Sequence, residues 1–160
     1  MEVTLEKDFN LIEKTIPILA KVETKNVRYR LTDNFLTFWF RFIFKYNYLI
    51  EIGSYKQLRN IIERDYETFS GLALEKYFRT LFIEQENYTR IGGFWDRRGE
   101  NEIDLIAINE FDKTANIVEI KRQKKNIDME RLREKGIVFK TTAGLNDYQI
   151  IYQGLSMEDM

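Results

Sequence analysis

Asn101-Glu102-Ile103-Asp104-Leu105-Ile106-Ala107-Ile108-Asn109 and Asn116-Ile117-Val118-Glu119-Ile120-Lys121-Arg122-Gln123 are the stretches on which the fold turns. Both are rich in β-branched residues and flank a polar connection over residues 110–115, so they read as neighbouring strands. Residues two apart in a strand share a face. Glu102 and Asp104 are therefore expected on one face, with Ile103 and Leu105 on the other. Glu119 and Lys121 likewise oppose Val118 and Ile120. If the strands pair as a hairpin, Asp104 and Glu119 converge at one end of the pair. Two carboxylates brought together are unfavourable unless a cation or a proton lies between them. A hard divalent ion such as Mg²⁺ suits one or two carboxylates plus waters and a phosphate oxygen. Lys121 beside it could orient water and offset phosphate charge, a set sufficient for metal-assisted phosphodiester hydrolysis.

The flanking segments extend this pair into a domain. A helix is expected over residues 68–84, with Phe69, Leu72, Ala73, Tyr77, Phe78, Leu81 and Phe82 on its apolar face. A strand over 88–95 follows, then the turn Asp96-Arg97-Arg98-Gly99. Beyond Gln123, a helix from Asp128 to about Phe139, weakened near its end by Gly136, leads to a last strand over 148–153. The order is α-β-β-β-α-β. Meandering strands pair antiparallel, and the crossover helix returns the last strand parallel to a neighbour. The expected fold class is α/β (α+β), a mixed sheet flanked by helices.

Upstream, Leu5, Phe9, Ile12 and Ile16 have helical spacing, ended by Pro17. Residues 18–23 and 27–31, with Thr24-Lys25-Asn26 between them, read as a hairpin. Helix then hairpin is the closing part of a winged helix, so the chain is expected to begin inside such a domain. A helix capped by Thr32 or Asp33 then runs to about Leu49. It is aromatic almost all round, with Thr37, Arg41 and Lys45 as its polar stripe, and reads as a linker helix. Gly53-Ser54 ends it, and Ser54 caps another helix to about Tyr66. The expected division is 1–52 for the partial winged helix and linker, and 53–160 for the α/β domain.

The 160 residues carry a net charge of −1 and contain no histidine and no cysteine. Thiol catalysis, disulfides, zinc sites of the usual ligand set and histidine-based triads are thereby excluded. Carboxylates, lysine and a hard cation remain as catalytic parts. The start of the chain is acidic and mixed, unlike a signal peptide. Residues 35–44 are too short for a bilayer, which needs about 20 apolar residues. No membrane association and a cytoplasmic location are the expectations. No G-x-x-x-x-G-K-[ST] occurs, so this segment is not expected to bind ATP.

Glu102-Ile103-Asp104 followed by Glu119-Ile120-Lys121 resembles the PD-(D/E)xK nuclease superfamily, whose restriction-endonuclease-like core has the same α-β-β-β-α-β order. The resemblance implies Asp104 and Glu119 as ligands of Mg²⁺ (or Mn²⁺), with Lys121 completing the catalytic set. It also implies a glutamate from the preceding helix, matched by Glu75 in Gly71-Leu72-Ala73-Leu74-Glu75. Ile103 stands where that superfamily usually has proline. Residues 29–42 (Tyr-Arg-Leu-Thr-Asp-Asn-Phe-Leu-Thr-Phe-Trp-Phe-Arg-Phe) and 91–97 (Ile-Gly-Gly-Phe-Trp-Asp-Arg) are similar to the C-terminal part of archaeal-type AAA ATPases, also found in Bacteroides. In that family an ATPase domain precedes a winged helix, and a nuclease-like domain of unknown function comes last. The resemblance implies an ATPase domain on the same full-length polypeptide as a partner. Without it, part of the aromatic helix around Trp39 is expected to stand exposed, which leaves a homo-oligomer open.

DNA contact, if it occurs, needs a local basic patch. Lys121, Arg122, Lys124 and Lys125 form one beside the carboxylates, and Arg97 and Arg98 form a second in the turn. Arg131, Arg133 and Lys135 follow on a helix face diluted by Asp128, Glu130 and Glu134. Phe94 and Trp95 could stack on a base or pack in the core. Two functions fit these residues. One is a metal-dependent DNA or RNA nuclease. The other is an inactive nuclease-like module that binds nucleic acid or protein and regulates the ATPase. The bland reading of Asp104, Glu119 and Lys121 is a solvated salt-bridge cluster, and of Glu75 a helix-edge carboxylate paired with Arg79 or Lys121.

Overall fold

The computed structural model describes residues 10–21 and 23–160. The chain divides into two compact units, Met1–Thr15 with Val27–Ala73, and Ile16–Asn26 with Leu74–Met160.

In the first unit, β1 (Ile12–Thr15) pairs antiparallel with β2 (Arg28–Leu31), Ile12 opposite Leu31 and Thr15 opposite Arg28. The hairpin forms, but not from residues 18–23. Ile12–Thr15 is a strand where helical spacing predicts a helix over 5–16, and residues 5–9 of that helix lie outside the described residues. The four residues Ile12–Thr15 extend because β2 supplies ladder partners, and the Thr15 hydroxyl adds a 3.2 Å bond to the Arg28 carbonyl. Tertiary pairing here outweighs local periodicity. The segment Ile16–Asn26 belongs instead with the second unit, where the Ile18 N–H donates to the Gly93 carbonyl at 2.8 Å.

Asp33 caps α1 (Asn34–Phe38), its Oδ1 accepting from the Leu36 N–H at 2.7 Å. The expected single helix then breaks into a π-helical turn (Trp39–Phe44) and α2 (Asn47–Glu51). Inward-facing rings accompany the change of pitch: Phe42 is fully buried, 5.0 Å from Phe38 and 5.8 Å from Phe69 between ring centroids. Next comes α3 (Tyr55–Glu84), one continuous helix of 30 residues where two are predicted. No proline or glycine interrupts residues 65–69, and the hydroxyl of Ser70 bonds back to the Tyr66 carbonyl at 2.7 Å within the helix.

The second unit holds the sheet β3 (Arg90–Trp95), β4 (Glu102–Asn109), β5 (Thr114–Ile120) and β6 (Gln149–Leu155), in that spatial order. The first three form an antiparallel meander. α4 (Met129–Ala143) then carries the chain over, and β6 pairs parallel with β5. The mixed α/β sheet is thus the one that strand patterning predicts. Both faces are buried. Ile106, Ile108 and Ile117 pack with Leu132 and Phe139 of α4, while Leu105, Ala107, Val118 and Ile120 pack with Leu74, Phe78 and Phe82 of α3. Among the described residues no helix is long and apolar enough to cross a membrane.

Gly136 does not end α4, which continues to Ala143. Its role is close approach: a Cβ there would lie 2.5 Å from Tyr152 Cε1 and 2.8 Å from the Tyr152 hydroxyl oxygen. Gly136→Ala gains about 1 kcal/mol in helix propensity but must displace the ring, an overpacking cost of about 1–3 kcal/mol. The expected result is a net loss of stability in urea unfolding. A higher midpoint would show that the ring yields freely.

Candidate metal centre

The β4–β5 ladder runs from Asn109 opposite Thr114 to Leu105 opposite Val118. One more step in that register sets Asp104 opposite Glu119. At this step a side chain takes over from the ladder: Asp104 Oδ2 accepts from the Ile120 N–H at 2.8 Å.

The other edge of β4 explains how Asp104 is aimed. Gly92 of β3 lies opposite Ile106, but Phe94 lies opposite Ile103, so three residue steps of β4 match two of β3. The extra residue is a β-bulge at Asp104-Leu105, a feature that re-aims side chains. Ile103 consequently packs on the α4 side and Leu105 on the α3 side. The strict alternation expected over Glu102–Leu105, with Ile103 and Leu105 on one face, does not hold. Gly93 is the matching residue on β3, where a Cβ would come within 3.3 Å of the Asp104 carbonyl oxygen.

Lys121 follows the end of β5. Its Nζ lies 3.5 Å from Asp104 Oδ2 and 3.4 Å from Glu119 Oε1, so one ammonium spans both carboxylates. Glu119 is buried, with 6% of its surface exposed, which makes its partners decisive. Its second oxygen accepts from the Asp128 N–H at 3.1 Å. Asp128 is itself the N-cap of α4, accepting from the Arg131 N–H at 3.0 Å. The positive end of the α4 dipole therefore faces the Glu119 carboxylate. The sequence marks Asp128 as a helix start but gives no sign of this contact.

Burial pushes the Asp104 carboxyl above the usual carboxylate range, and the charge of Glu119 acts in the same direction. The Ile120 N–H and the Lys121 ammonium oppose that rise without cancelling it. For Lys121, burial acts to lower the pKa, but Asp104 and Glu119 together outweigh it and hold the ammonium above the ordinary lysine value.

The remaining predicted residues are placed as follows. Glu75 is half-buried on α3, next to the buried Leu74. Among the described residues no three Asp, Glu, His or Cys side chains gather into a group that could hold a metal ion. Arg122 is half-buried, Lys124 and Lys125 stand exposed in a short 3-10 turn, and Arg97 and Arg98 are exposed in the β3–β4 turn. Phe94 and Trp95 are core residues, 9% and 6% exposed. The Trp95 indole N–H is taken by Asn26 Oδ1 at 2.9 Å.

Fold and site together define the class: a mixed α/β domain with two carboxylates and a lysine gathered at one end of adjacent strands. The chain belongs to a family described as archaeal and bacterial proteins of unknown function (DUF234), whose model matches residues 39–133. It is 35% identical over 153 residues to an uncharacterized protein of Methanocaldococcus jannaschii, a match covering 91% of this chain and 34% of that protein. The chain thus spans about a third of the length of the curated relative it matches. No solved structure matches it.

The raised pKa of Asp104 sets a sign for stability. The folded chain holds this proton more tightly than the unfolded chain, so stability falls as pH rises from the ordinary carboxylate value through the folded one. The cost is present on the alkaline side of the folded value. Asp104→Asn removes the charge and keeps an acceptor for the Ile120 N–H. Its unfolding midpoint at neutral pH is expected at or above that of the wild type, with the difference closing below about pH 4. A clearly less stable variant at neutral pH would contradict the assignment.

Proposed function

We propose that Asp104, Glu119 and Lys121 form the centre of a Mg²⁺- or Mn²⁺-dependent nuclease domain. The observation that carries this reading is the single Lys121 ammonium spanning two carboxylates just beyond the last paired residues, Leu105 and Val118. A site that already holds one positive charge between two acidic groups has the charge and shape for a cation. The donor set fits a hard divalent ion, which favours carboxylate oxygens plus water and phosphate. Among the described residues no donor reaches Asp104 Oδ1, which leaves that oxygen for coordination. When bound, the ion would lower the pKa of a water and withdraw charge from a phosphoryl oxygen.

The chain's own residues supply the rest. Asp104 and Glu119 would hold the ion, their orientation fixed by the Ile120 and Asp128 N–H groups. Lys121, freed from bridging the pair, would orient the attacking water and offset phosphate charge. Lys124 and Lys125 adjoin it along the chain and are exposed, as phosphate-backbone contacts require. Arg122, Arg97 and Arg98 are further candidate contacts, and Glu75 an auxiliary carboxylate. The likeness of residues 102–121 to the PD-(D/E)xK pattern supports the same reading. An ATPase on a longer polypeptide remains part of the proposal, and the greater length of the archaeal relative is compatible with it.

A second reading has one observation in its favour. Both carboxylates already have an ammonium partner, so the cluster is electrostatically complete without a metal. In that case the domain is an inactive nuclease-like module that binds nucleic acid or protein.

The test is cleavage of single- and double-stranded DNA and RNA with Mg²⁺ or Mn²⁺. Glu119→Ala and Lys121→Ala are each expected to lower the rate at least ~100-fold, beyond the usual effect of losing an outer-shell partner. Unchanged cleavage by either variant would refute the mechanism. Calorimetric titration with Mn²⁺ separates the readings. No metal binding, together with salt-sensitive nucleic-acid binding, would favour the inactive module.

A further inference from the structure

Glu119 has a strand neighbour with no side chain. In the parallel β5–β6 ladder Glu119 lies opposite Gly154, with Val118 opposite Gln153 and Ile120 opposite Leu155. Val118, Ile120 and Leu155 pack on the α3 side of the sheet, while Ile117 and Tyr152 pack on the α4 side. Successive residues of a strand alternate between faces. Glu119 and Gly154 therefore share the α4 face.

The backbone does not demand glycine here. Gly154 lacks the positive φ of Gly53, Gly99 and Gly144, and glycine weakens a strand interior. What lies over it explains its place. A Cβ on Gly154 would come 2.6 Å from Ile127 Cγ2, 3.1 Å from Ile127 Cδ1 and 3.3 Å from Met129 Sδ. Ile127 and Met129 flank Asp128, whose N–H donates to Glu119 Oε2 at 3.1 Å. That N–H belongs to the peptide bond joining Ile127 to Asp128. Ile127 is tied back in turn, its N–H donating to the Lys124 carbonyl at 3.1 Å. The gap over Gly154 thus sets where Ile127 sits, and Ile127 sets where the Asp128 N–H points.

Carbon atoms in ordinary contact are about 3.5–4.0 Å apart. A methyl at position 154 would need Ile127 Cγ2 to retreat by roughly 1 Å. Cγ2 is bonded directly to Cβ, and β-branched side chains are stiff at χ1. The retreat therefore falls on the backbone of residues 127–128. Stretched by that much, the bond to Glu119 leaves the usual range of about 2.7–3.2 Å.

We infer that Gly154 is a positioning residue for the Glu119 carboxylate, holding the Asp128 N–H against Oε2 by leaving room for Ile127. Its bearing on metal binding rests on the reading of Asp104 and Glu119 as ligands, whereas its bearing on the hydrogen bond does not. The test is the Asp128 amide proton in NMR spectra of the metal-free full chain, with Mn²⁺ calorimetry beside it. A charge-assisted hydrogen bond holds such a proton downfield. Glu119→Gln removes the charge, keeps an acceptor and so calibrates the shift. Gly154→Ala is expected to move the proton upfield at least as far, and to weaken Mn²⁺ binding about tenfold or more. Ile127→Ala crowds nothing and removes the same support, so it should move the proton the same way even where Gly154→Ala does not fold. The double variant gives the new methyl its room and should return Mn²⁺ affinity to within about threefold of the wild type, with the proton nearer its original place. Gly136→Ala crowds Tyr152 further along α4 and should leave the proton unmoved. A proton that stays put in both single variants, an equal shift in Gly136→Ala, or a double variant no nearer the wild type than Gly154→Ala overturns the proposal. A wild type that binds no Mn²⁺ removes the metal reading alone, because the Asp128 proton is read without metal.

Discussion

Asp104 and Glu119 share one ammonium at the end of a strand pair, and the burial and mutual repulsion of these two carboxylates is what the local structure must answer. Three neighbours oppose that cost. The Lys121 ammonium spans the pair, the Ile120 N–H binds Asp104, and the Asp128 N–H binds Glu119. Burial, with the Glu119 charge adding to it, still holds the Asp104 carboxyl above its ordinary range. Groups retained at a cost to stability are where function is expected.

Each compensating group comes from a different part of the second unit. Parallel pairing of β5 with β6 fixes the end of β5, and the Lys121 N–H continues that ladder to the Leu155 carbonyl at 3.0 Å. The crossover brings the first turn of α4 to Glu119. The β4 bulge turns Asp104 out of strict alternation, and Gly93 lets β3 approach it. Hydrophobic layers on both faces of the sheet hold these parts in register. The site is thus a product of topology, since no single element carries it.

Much of this was readable from residues alone. Apolar runs in β4 and β5, the turn after Trp95 and the crossover to β6 gave the mixed sheet and its strand directions, because burial on two faces leaves a strong pattern. The carboxylate pair and Lys121 followed from spacing. What failed did so where long-range contacts decide. Ile12–Thr15 is a strand because β2 pairs with it, against its own helical spacing. The bulge put Ile103 and Leu105, expected on one face, on opposite faces, although adjacent glycines at 92 and 93 inside a strand are a usable signal for close approach or a bulge. The Asp128 contact left no trace in the sequence, since a backbone N–H serves any residue type.

On the proposed reading, Lys121 holds the place that a divalent ion would take. A crystal structure with saturating Mn²⁺, read by anomalous scattering, tests this most directly. The account predicts one Mn²⁺ bonded to oxygens of both Asp104 and Glu119 at ~2.1 Å, with the Lys121 ammonium moved off the pair. Lys121 still bridging the carboxylates, with no anomalous peak between them, would contradict it.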